Sequence, residues 1–416
     1  MRILMVTPFL PSGAAANAGE LVMYRQLERL AGRHEVTLAT LCSQDQDSGG
    51  EIADLRRLGI EVHAVTRRVL TGLERWKRRP GLALRWLRGD TPLPVIEFTL
   101  PAMQETINRL VAATAPELIQ VEYVWMAGYQ YPPGVATVLT EHEVGLARAR
   151  DDLRSTGGAR RLRRLYALAE WRRWRRYEPA ACRKFTRVQV FTSQDANTLV
   201  QHAPDLEPRL RVNPFGVDPP GAPDPGAEYE NAVLFVGGFA HPPNVDAALW
   251  LAREIMPLVW RDVPGAHLWL VGCNPPAELL ALAGERITVT GRVPEIEPYL
   301  QRAAVVVAPL RQGGGMRLKV LQAMSACKAV VTTPLGAAGI AEEDSGPLVI
   351  ASSAEDLARR TVELLANRDM RAELGARARE FTLASYSWEA YMGRLQEIYD
   401  EALAAHHSRG KTPGQQ

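Results

Sequence analysis

Residues 304–333 read "AVVVAPLRQGGGMRLKVLQAMSACKAVVTT". An apolar run, 304–310, stops just ahead of Gly313, Gly314 and Gly315. Leu318, Leu321, Met324 and Ser325 then follow at helical spacing, and a second apolar run closes the stretch at 329–333. Strand, glycine turn, helix and strand in that order form the repeating unit of a parallel sheet. Adjacent glycines give up backbone entropy for conformations and close approaches that a Cβ forbids. Here they lead into a helix N-terminus, whose unpaired N–H groups and positive dipole end favour an anion. Arg317 and Lys319 add charge of the matching sign. Taken alone, the stretch fits a tight turn with two solvated cations as well as it fits an anion site.

The same alternation extends over the whole chain. Toward the N-terminus the strand candidates are "RILMVT", "HEVTLATL", "EVHAV", "ELIQVEY", "VATVLTEH" and "RVQVFTS". Toward the C-terminus they are "NAVLFVG", "AHLWLVG", "ITVTG", "AVVVAPL", "AVVTT" and "PLVIA". Between the two sets lies "NPFGVDPPGAPDPGAEYEN", residues 213–231, with five prolines and three glycines. Proline at that density continues neither a helix nor a central strand, so the segment reads as an interdomain linker. Each side then forms its own doubly wound α/β unit. Ligands of such open sheets bind outside the C-terminal ends of the strands, so a shared crevice is expected. A last amphipathic helix carries Tyr391, Leu395, Ile398 and Ala402 on one face, and the polar tail after it reads as disordered.

Composition agrees with two or three soluble domains: 416 residues, 46% hydrophobic and 23% charged. No apolar run approaches the ~18–20 residues of a membrane span. The opening "MRILMVTPFL" reads as a first strand, with no cleavage site of a signal peptide. Cys42, Cys182, Cys273 and Cys327 lack metal-type spacing and suit reduced thiols in a cytoplasm. The net charge of +2 conceals an asymmetry. Residues 1–215 hold 31 Lys and Arg against 23 Asp and Glu, a net of +8, which leaves −6 for the remainder. Two domains with different partners are expected.

Gly237, Gly238, Gly272 and Gly291 each follow a strand, as does the 313–315 run. Around a ligand crevice such glycines let the backbone approach a ligand, although turns after strands need glycine anyway. Other enzyme classes are disfavoured. "VGGFAHPPN" and "PSGAAANAGE" are not G-x-G-x-x-G, "GGGMRLK" lacks the P-loop ending, and no G-x-S-x-G elbow is present.

Two long stretches carry a family likeness. They are "VLFVGGFAHPPNVDAALWLAREIMPLVWRDVPGAHLWLVG" and "ITVTGRVPEIEPYLQRAAVVVAPLRQGGGMRLKVLQAMSACKAVVTTPLGAAGI". Both resemble the donor domain of retaining glycosyltransferases of family four, the glycosyl transferases group 1 type. "PFLPSGAAANAGELVMYRQLERLAGRHEVTLATL" and "RRYEPAACRKFTRVQVFTSQDA" resemble the acceptor domain of the same group. The likeness is specific in the C-terminal half and looser in the first 210 residues. It implies a GT-B fold: two Rossmann-like doubly wound domains facing a central cleft, with the C-terminal helix crossing back to the N-terminal domain. On this reading residues 1–213 bind the acceptor and are joined by helix 387–406. Residues 214–386 bind the nucleotide-sugar, and 407–416 form the disordered tail.

The resemblance also assigns residues. The family carries two glutamates eight positions apart, near the donor sugar and on the ribose hydroxyls; Gly314 and Gln322 stand there in this chain. The glycine matches a variant subgroup reading "GGG" with a downstream Arg and Lys. The glutamine is a departure, because a neutral amide accepts a hydroxyl hydrogen without charge assistance. Gly315, Met316, Lys319 and Arg317 are then expected at the pyrophosphate, where charge builds as the glycosidic bond breaks. Gly237, Gly238, Gly272, Arg292, Val293 and Gly313 complete the expected donor site. His142 is expected near the donor sugar, against the simpler reading of a structural strand-end histidine. Asn17, Gly19 and Glu122 are expected on the acceptor side, Glu122 alternatively as a solvated strand end. No general base is assigned, since front-face attack with the leaving phosphate taking the proton is the scheme the family implies.

No cofactor beyond the nucleotide-sugar co-substrate and no metal are expected. Asp45 and Asp47 make an Asp-x-Asp pair, but in a polar loop without a third ligand. Two segments, "RRVLTGLERWKRRPGLALRWLR" and "ARRLRRLYALAEWRRWRRYE", interleave arginines with Trp76, Trp86, Trp171 and Trp174. They read either as solvated helix faces or as a patch for an anionic membrane surface and a lipid-linked acceptor. Nucleic acid is argued against by the α/β crevice and the absence of a binding motif. The expected reaction is transfer of a sugar to an acceptor hydroxyl in polysaccharide, glycolipid or glycoconjugate biosynthesis. A non-catalytic partner subunit and an epimerase of the same fold are the alternatives.

Overall fold

In a computed structural model the chain is described over residues 1–13, 18–43, 50–67, 81–155, 161–221, 228–229, 231–313, 316–340 and 346–410. All pairing between its named strands is parallel. The first sheet is built from β1 (Arg2–Thr7), β2 (Glu35–Ser43), β3 (Glu61–Arg67), β4 (Leu118–Glu122), β5 (Ala136–Glu141), β6 (Arg187–Val190) and β7 (Leu210–Val212), in the order β3-β2-β1-β4-β5-β6-β7. The second holds β8 (Ala232–Val236), β9 (His267–Val271), β10 (Ile287–Val289), β11 (Val305–Ala308), β12 (Ala329–Thr332) and β13 (Val349–Ile350), in the order β10-β9-β8-β11-β12-β13. The central strands β4, β5, β11 and β12 are buried at every residue, as the unbroken apolar runs require of strands covered on both faces.

Each sheet reverses its winding once, between β1 and β4 in the first and between β8 and β11 in the second. Those two points are where open α/β sheets hold ligands. The chain divides into one unit of Met1–Asn213 with Met392–Gln416 and a second of Pro214–Tyr391. The final helix, Trp388–Gly410, therefore returns to the first unit. Leu395, Ile398 and Ala402 are buried, and Glu401 binds Arg187 at 2.9 Å and Arg211 at 2.6 Å. Arg394 Nε donates to Asn213 Oδ1 at 2.9 Å.

Three details differ from the sequence reading. The three-residue β7 falls in no strand candidate, because "LRV" is too short to show a period. The start of the linker is packed rather than loose: Phe215 and Val217 are buried, and a Cβ on Gly216 would stand 2.6 Å from Trp388 Cα. The last helix continues through 407–410, where a disordered tail is expected. His407 Nδ1 and Ser408 Oγ bond to Leu403 and Ala404 carbonyl oxygens, and no glycine or proline lies between Gly393 and Gly410.

Candidate functional site

At the switch point of the second sheet, Gly237 and Gly238 follow β8, and β11 runs out through Leu310 and Arg311 to Gly313. The helix Leu318–Ser325 follows. Lys319 Nζ donates to Asn244 Oδ1, and Asn244 Nδ2 donates to the Gly238 carbonyl at 2.8 Å. One buried amide thus ties the lysine to the tip of β8. Lys319 also lies 5.2 Å from the centroid of the Phe235 ring. Burial and, secondarily, the Arg317 charge push the Lys319 ammonium down to about 7. A cation so poorly solvated and repelled by a neighbour is poised to gain from an anionic ligand.

The loop between β11 and this helix is anchored on both sides. Arg317 is buried; its Nη2 donates to the Gly313 carbonyl at 2.9 Å and its Nε to the Leu335 carbonyl at 3.3 Å. Arg311 makes a bidentate pair with Asp246 at 2.7 and 3.1 Å and stacks 4.5 Å over Trp250. Gly313 has φ +108, a conformation that favours glycine, and this is what the turn beside His241 and Pro243 needs, since a Cβ would meet Pro243 only at an ordinary 3.6 Å.

Gly272 has a different reason to be glycine from the one the sequence suggests. A Cβ on it would lie 1.9 Å from the Gly237 carbonyl oxygen, so its space is filled by protein backbone. Gly238 is more open, with only Cys273 Sγ at 3.8 Å. Arg292 is exposed and Val293 is half-buried against the core under the helix, as is Met316. Gln322 is half-buried on that helix, three residues from Lys319. Gly314 and Gly315 lie outside the described residues.

At the switch point of the first sheet, Glu122 ends β4 and His142 follows β5. His142 Nε2 and Glu122 Oε2 are 2.6 Å apart. Glu122 is fully buried and so is not a solvated strand end; Gln120 Nε2 donates to its Oε1 at 3.0 Å, with Gln26 and Thr140 at 3.4 Å. Its carboxylate fixes the histidine, and any effect it has on a ligand acts through that ring. The imidazole is stacked on Tyr123 (3.9 Å, 7°) and edge-on to Phe191 at 5.1 Å. Tyr123 has φ +67, a strained conformation for a bulky residue, held by its N–H donating to the Thr140 carbonyl at 2.9 Å. Burial and then the Glu122 charge raise its phenol well above the usual range. Gly19 lies in the first turn of the helix Ala18–Ala31, while Asn17 is outside the described residues.

Behind His142, Glu178 accepts from Gly145 N at 2.6 Å and Leu146 N at 2.8 Å, capping the helix Gly145–Ser155. Burial raises the pKa of Glu178. Burial and the neighbouring Glu178 and Asp195 charges raise that of Glu141. Among the described residues no group of three or more His, Cys, Asp or Glu is arranged to hold a metal ion, and Asp45 and Asp47 lie outside them. No helix among the described residues is long and apolar enough to cross a membrane.

Of the tryptophans in the arginine-rich segments, Trp174 is buried and Trp86 and Trp171 are half-buried. Trp174 is buried against Gly145, where a Cβ would be 2.6 Å from its ring. Trp86 donates Nε1–H to Glu170 and has Arg173 3.9 Å over its face. Arg175 lies 4.8 Å over Trp171, and Trp76 is outside the described residues.

Asn244 and Tyr123 were not singled out from the sequence. The Pro-Pro-Asn step opening a helix and an aromatic residue directly after a strand were the signals available.

Two parallel, separately cored sheets with opposed winding at each centre define a two-unit Rossmann-like α/β protein. Residues 230–367 match the family model of Glycosyl transferases group 1. The chain is 25% identical over 221 residues to the lipopolysaccharide core biosynthesis mannosyltransferase LpcC of Rhizobium leguminosarum bv. viciae, covering 51% of this chain and 62% of that protein. It spans less than two thirds of the length of the curated relatives it matches. The fold is that of sucrose-phosphate synthase from Thermosynechococcus elongatus (TM-score 0.66, 18% identity, 97% of this chain and 100% of that one). It is also that of Anabaena HepE, solved with UDP and glucose (TM-score 0.63, 14% identity, 96% and 99%).

Proposed function

We propose that the protein is a retaining glycosyltransferase that moves a sugar, of hexosyl type, from a nucleoside diphosphate to an acceptor hydroxyl. The observation that carries this reading is the Lys319–Asn244–Gly238 arrangement at the β8/β11 switch point. The diphosphate lies against Lys319 and the glycine turn. The bond from the anomeric carbon to the phosphate oxygen breaks, the acceptor oxygen bonds to that carbon from the same face, and its proton passes to the leaving phosphate. A fixed cation at the leaving group lowers the barrier because the charge appears there only as the bond breaks. No metal is needed in this scheme, since Lys319 and the turn meet the leaving charge. The family match and HepE, solved with UDP and glucose, support the choice of donor.

His142, held by Glu122, orients the sugar, and the first unit takes the acceptor. Gln322 favours one alternative, a non-catalytic partner that binds nucleotide without turning it over. Incubation with a panel of nucleotide-sugars, following both binding and hydrolysis, separates the two: sugar-dependent turnover upholds the transferase, and binding alone upholds the partner subunit.

The net +8 of residues 1–215 supports a position on the cytoplasmic face of an anionic membrane, with a lipid-linked acceptor. Each well-placed cation adds roughly 1 kcal/mol near such a surface. Sedimentation with acidic vesicles should show binding that weakens steeply with salt, and equal partition to neutral vesicles would overturn the membrane assignment.

A further inference from the structure

The first unit contains a cavity of about 330 Å³ that none of the residues assigned above lines. It lies between the helices Leu93–Phe98, Gly145–Ser155 and Arg161–Cys182. Its volume is at the lower end of small-molecule sites. Trp125, Tyr166 and Trp174 give it aromatic walls, and Glu97, Glu143, Asp152 and Glu170 bring four carboxyl groups against the two guanidinium groups of Arg148 and Arg163. Flat aromatic faces suit the C–H face of a pyranose, and carboxylates accept from its hydroxyls. The excess of carboxyl groups disfavours an anionic ligand.

The cavity is joined to the candidate catalytic histidine by a continuous stack. Trp125 lies 4.9 Å from Tyr123, which lies 3.9 Å from His142. Glu143, the residue after His142, lines the cavity as well. On its other side the cavity borders exposed apolar surface. Tyr166 and Arg163 line it, and Leu162 and Leu165 on the same turns are 80% and 61% exposed. Tyr166 packs at a tilt against Trp86, 5.3 Å between ring centroids, which brings alongside the helix of residues 81–88, where Leu84 and Leu87 are 46% and 68% exposed. Four exposed leucines on the helices that carry Tyr166 and its ring partner Trp86, next to a polar, aromatic cavity, make an amphiphilic surface.

We propose that this cavity is the acceptor pocket, and that it takes the uncharged sugar headgroup of an amphiphilic glycoside whose hydrocarbon lies on Leu84, Leu87, Leu162 and Leu165. The inference rests on the transferase reading for the word acceptor, but the pocket and its ligand class stand on the cavity itself.

The probes are octyl glucoside below its micelle concentration, free glucose, and octyl sulfate, each titrated into the full chain by calorimetry. Octyl glucoside should saturate with affinity about tenfold or more above glucose, the worth of roughly two buried methylenes. Octyl sulfate, with the same chain and an anionic head, should not displace it. Glu97→Ala and Asp152→Ala, both at exposed positions, should each weaken octyl glucoside about fivefold or more, the scale of one lost hydrogen bond. The double variant Leu162→Ser, Leu165→Ser should bring octyl glucoside down toward the affinity of glucose, with the melting temperature retained. Absence of saturable octyl glucoside binding overturns the proposal, as does equal binding of octyl sulfate or indifference to both carboxylate variants. Turnover of a nucleotide-sugar without glycoside binding overturns the pocket and leaves the transferase reading. Sugar-dependent glycoside binding by a chain that turns over no nucleotide-sugar upholds the pocket and overturns the transferase reading.

Discussion

The two switch points occupy the same place in two sheets of the same winding, yet their chemistry is opposite. In the first unit the strand tips carry Glu122, His142 and Tyr123, locked by side-chain bonds and ring stacking in a region rich in buried carboxyl groups. In the second they carry glycines, a lysine and two arginines whose bonds run to backbone oxygens, one aspartate and one asparagine. Topology therefore supplies the location, and the side chains at the tips choose the ligand. A rigid, acid-lined site suits orientation of neutral hydroxyls; a poorly solvated cation beside open backbone suits an anion.

The contrast is broken most directly at Lys319. Lys319→Ala should lower kcat by ~10²–10³, the scale of removing one group that meets charge in the transition state. Steady-state rates on a variant with an unchanged melting temperature are the check. An unaltered kcat would move the phosphate site away from this turn and leave the two switch points without a functional difference.

How far this division could be seen beforehand varies with the kind of residue. The strands were legible because β4, β5, β11 and β12 are buried on both faces and so appear as apolar runs. Gly313 was legible as a turn before a helix. Gly272 was visible as a glycine, but its reason, contact with the Gly237 carbonyl, depends on which strand lies beside it. The role of Asn244 is tertiary in the same way, since its two partners stand 6 and 75 positions away. Trp86 and Trp174 looked like surface residues because a helix of mixed arginine and tryptophan has no clear apolar stripe; packing against Glu170, Arg173 and Gly145 decides where the rings go. Buried acids such as Glu178 leave no mark in the sequence at all, because their burial follows from the helix they cap.

On the other side of the comparison, His142→Ala should depress transfer about tenfold to a hundredfold, the range expected when a reacting group is misplaced by about an ångström. Affinity for the free nucleoside diphosphate should stay near that of the parent, because the ring belongs to the first unit. Parallel losses in both measurements, or a large fall in melting temperature, would make His142 a structural residue.

The lysine also gives the second switch point a pH signature of its own. With its folded pKa lowered to about 7, Lys319 is mostly neutral above that pH, and a bound diphosphate restores the charged form. Binding therefore takes up a proton, and affinity should fall between pH 7 and 9, by at most about tenfold per unit for one linked proton. Calorimetry at pH 8 in buffers of different ionisation enthalpy should register the uptake. Lys319→Arg, which stays charged, should remove it. The same shift acts on stability without ligand. The unfolded chain binds the proton between pH 7 and the ordinary lysine value, so stability should rise through that window.

The smallest effect sits one helical turn further on, at Gln322. If its amide meets the ribose hydroxyls, Gln322→Glu provides an anionic acceptor, and charge-assisted bonds are about twice as strong as neutral ones. Desolvation of the new carboxylate and its repulsion from the diphosphate oppose the gain. At three residues' separation the carboxylate also faces Lys319, and it should favour the charged lysine that the diphosphate needs. The balance should tighten nucleotide binding by up to ~1 kcal/mol, roughly fivefold, with little change in kcat because the ribose does not react. The affinity of each form for the nucleoside diphosphate, compared at pH 7 and pH 8.5, separates the two contributions. A gain through the ribose alone is the same at both values, whereas a gain through Lys319 is larger at the higher pH. Weaker binding by the glutamate at both would mean that the turn has adapted around the amide. That would sharpen the contrast between the units, since the second would then meet its ligand with cations and backbone, its one carboxylate, Asp246, being held by Arg311.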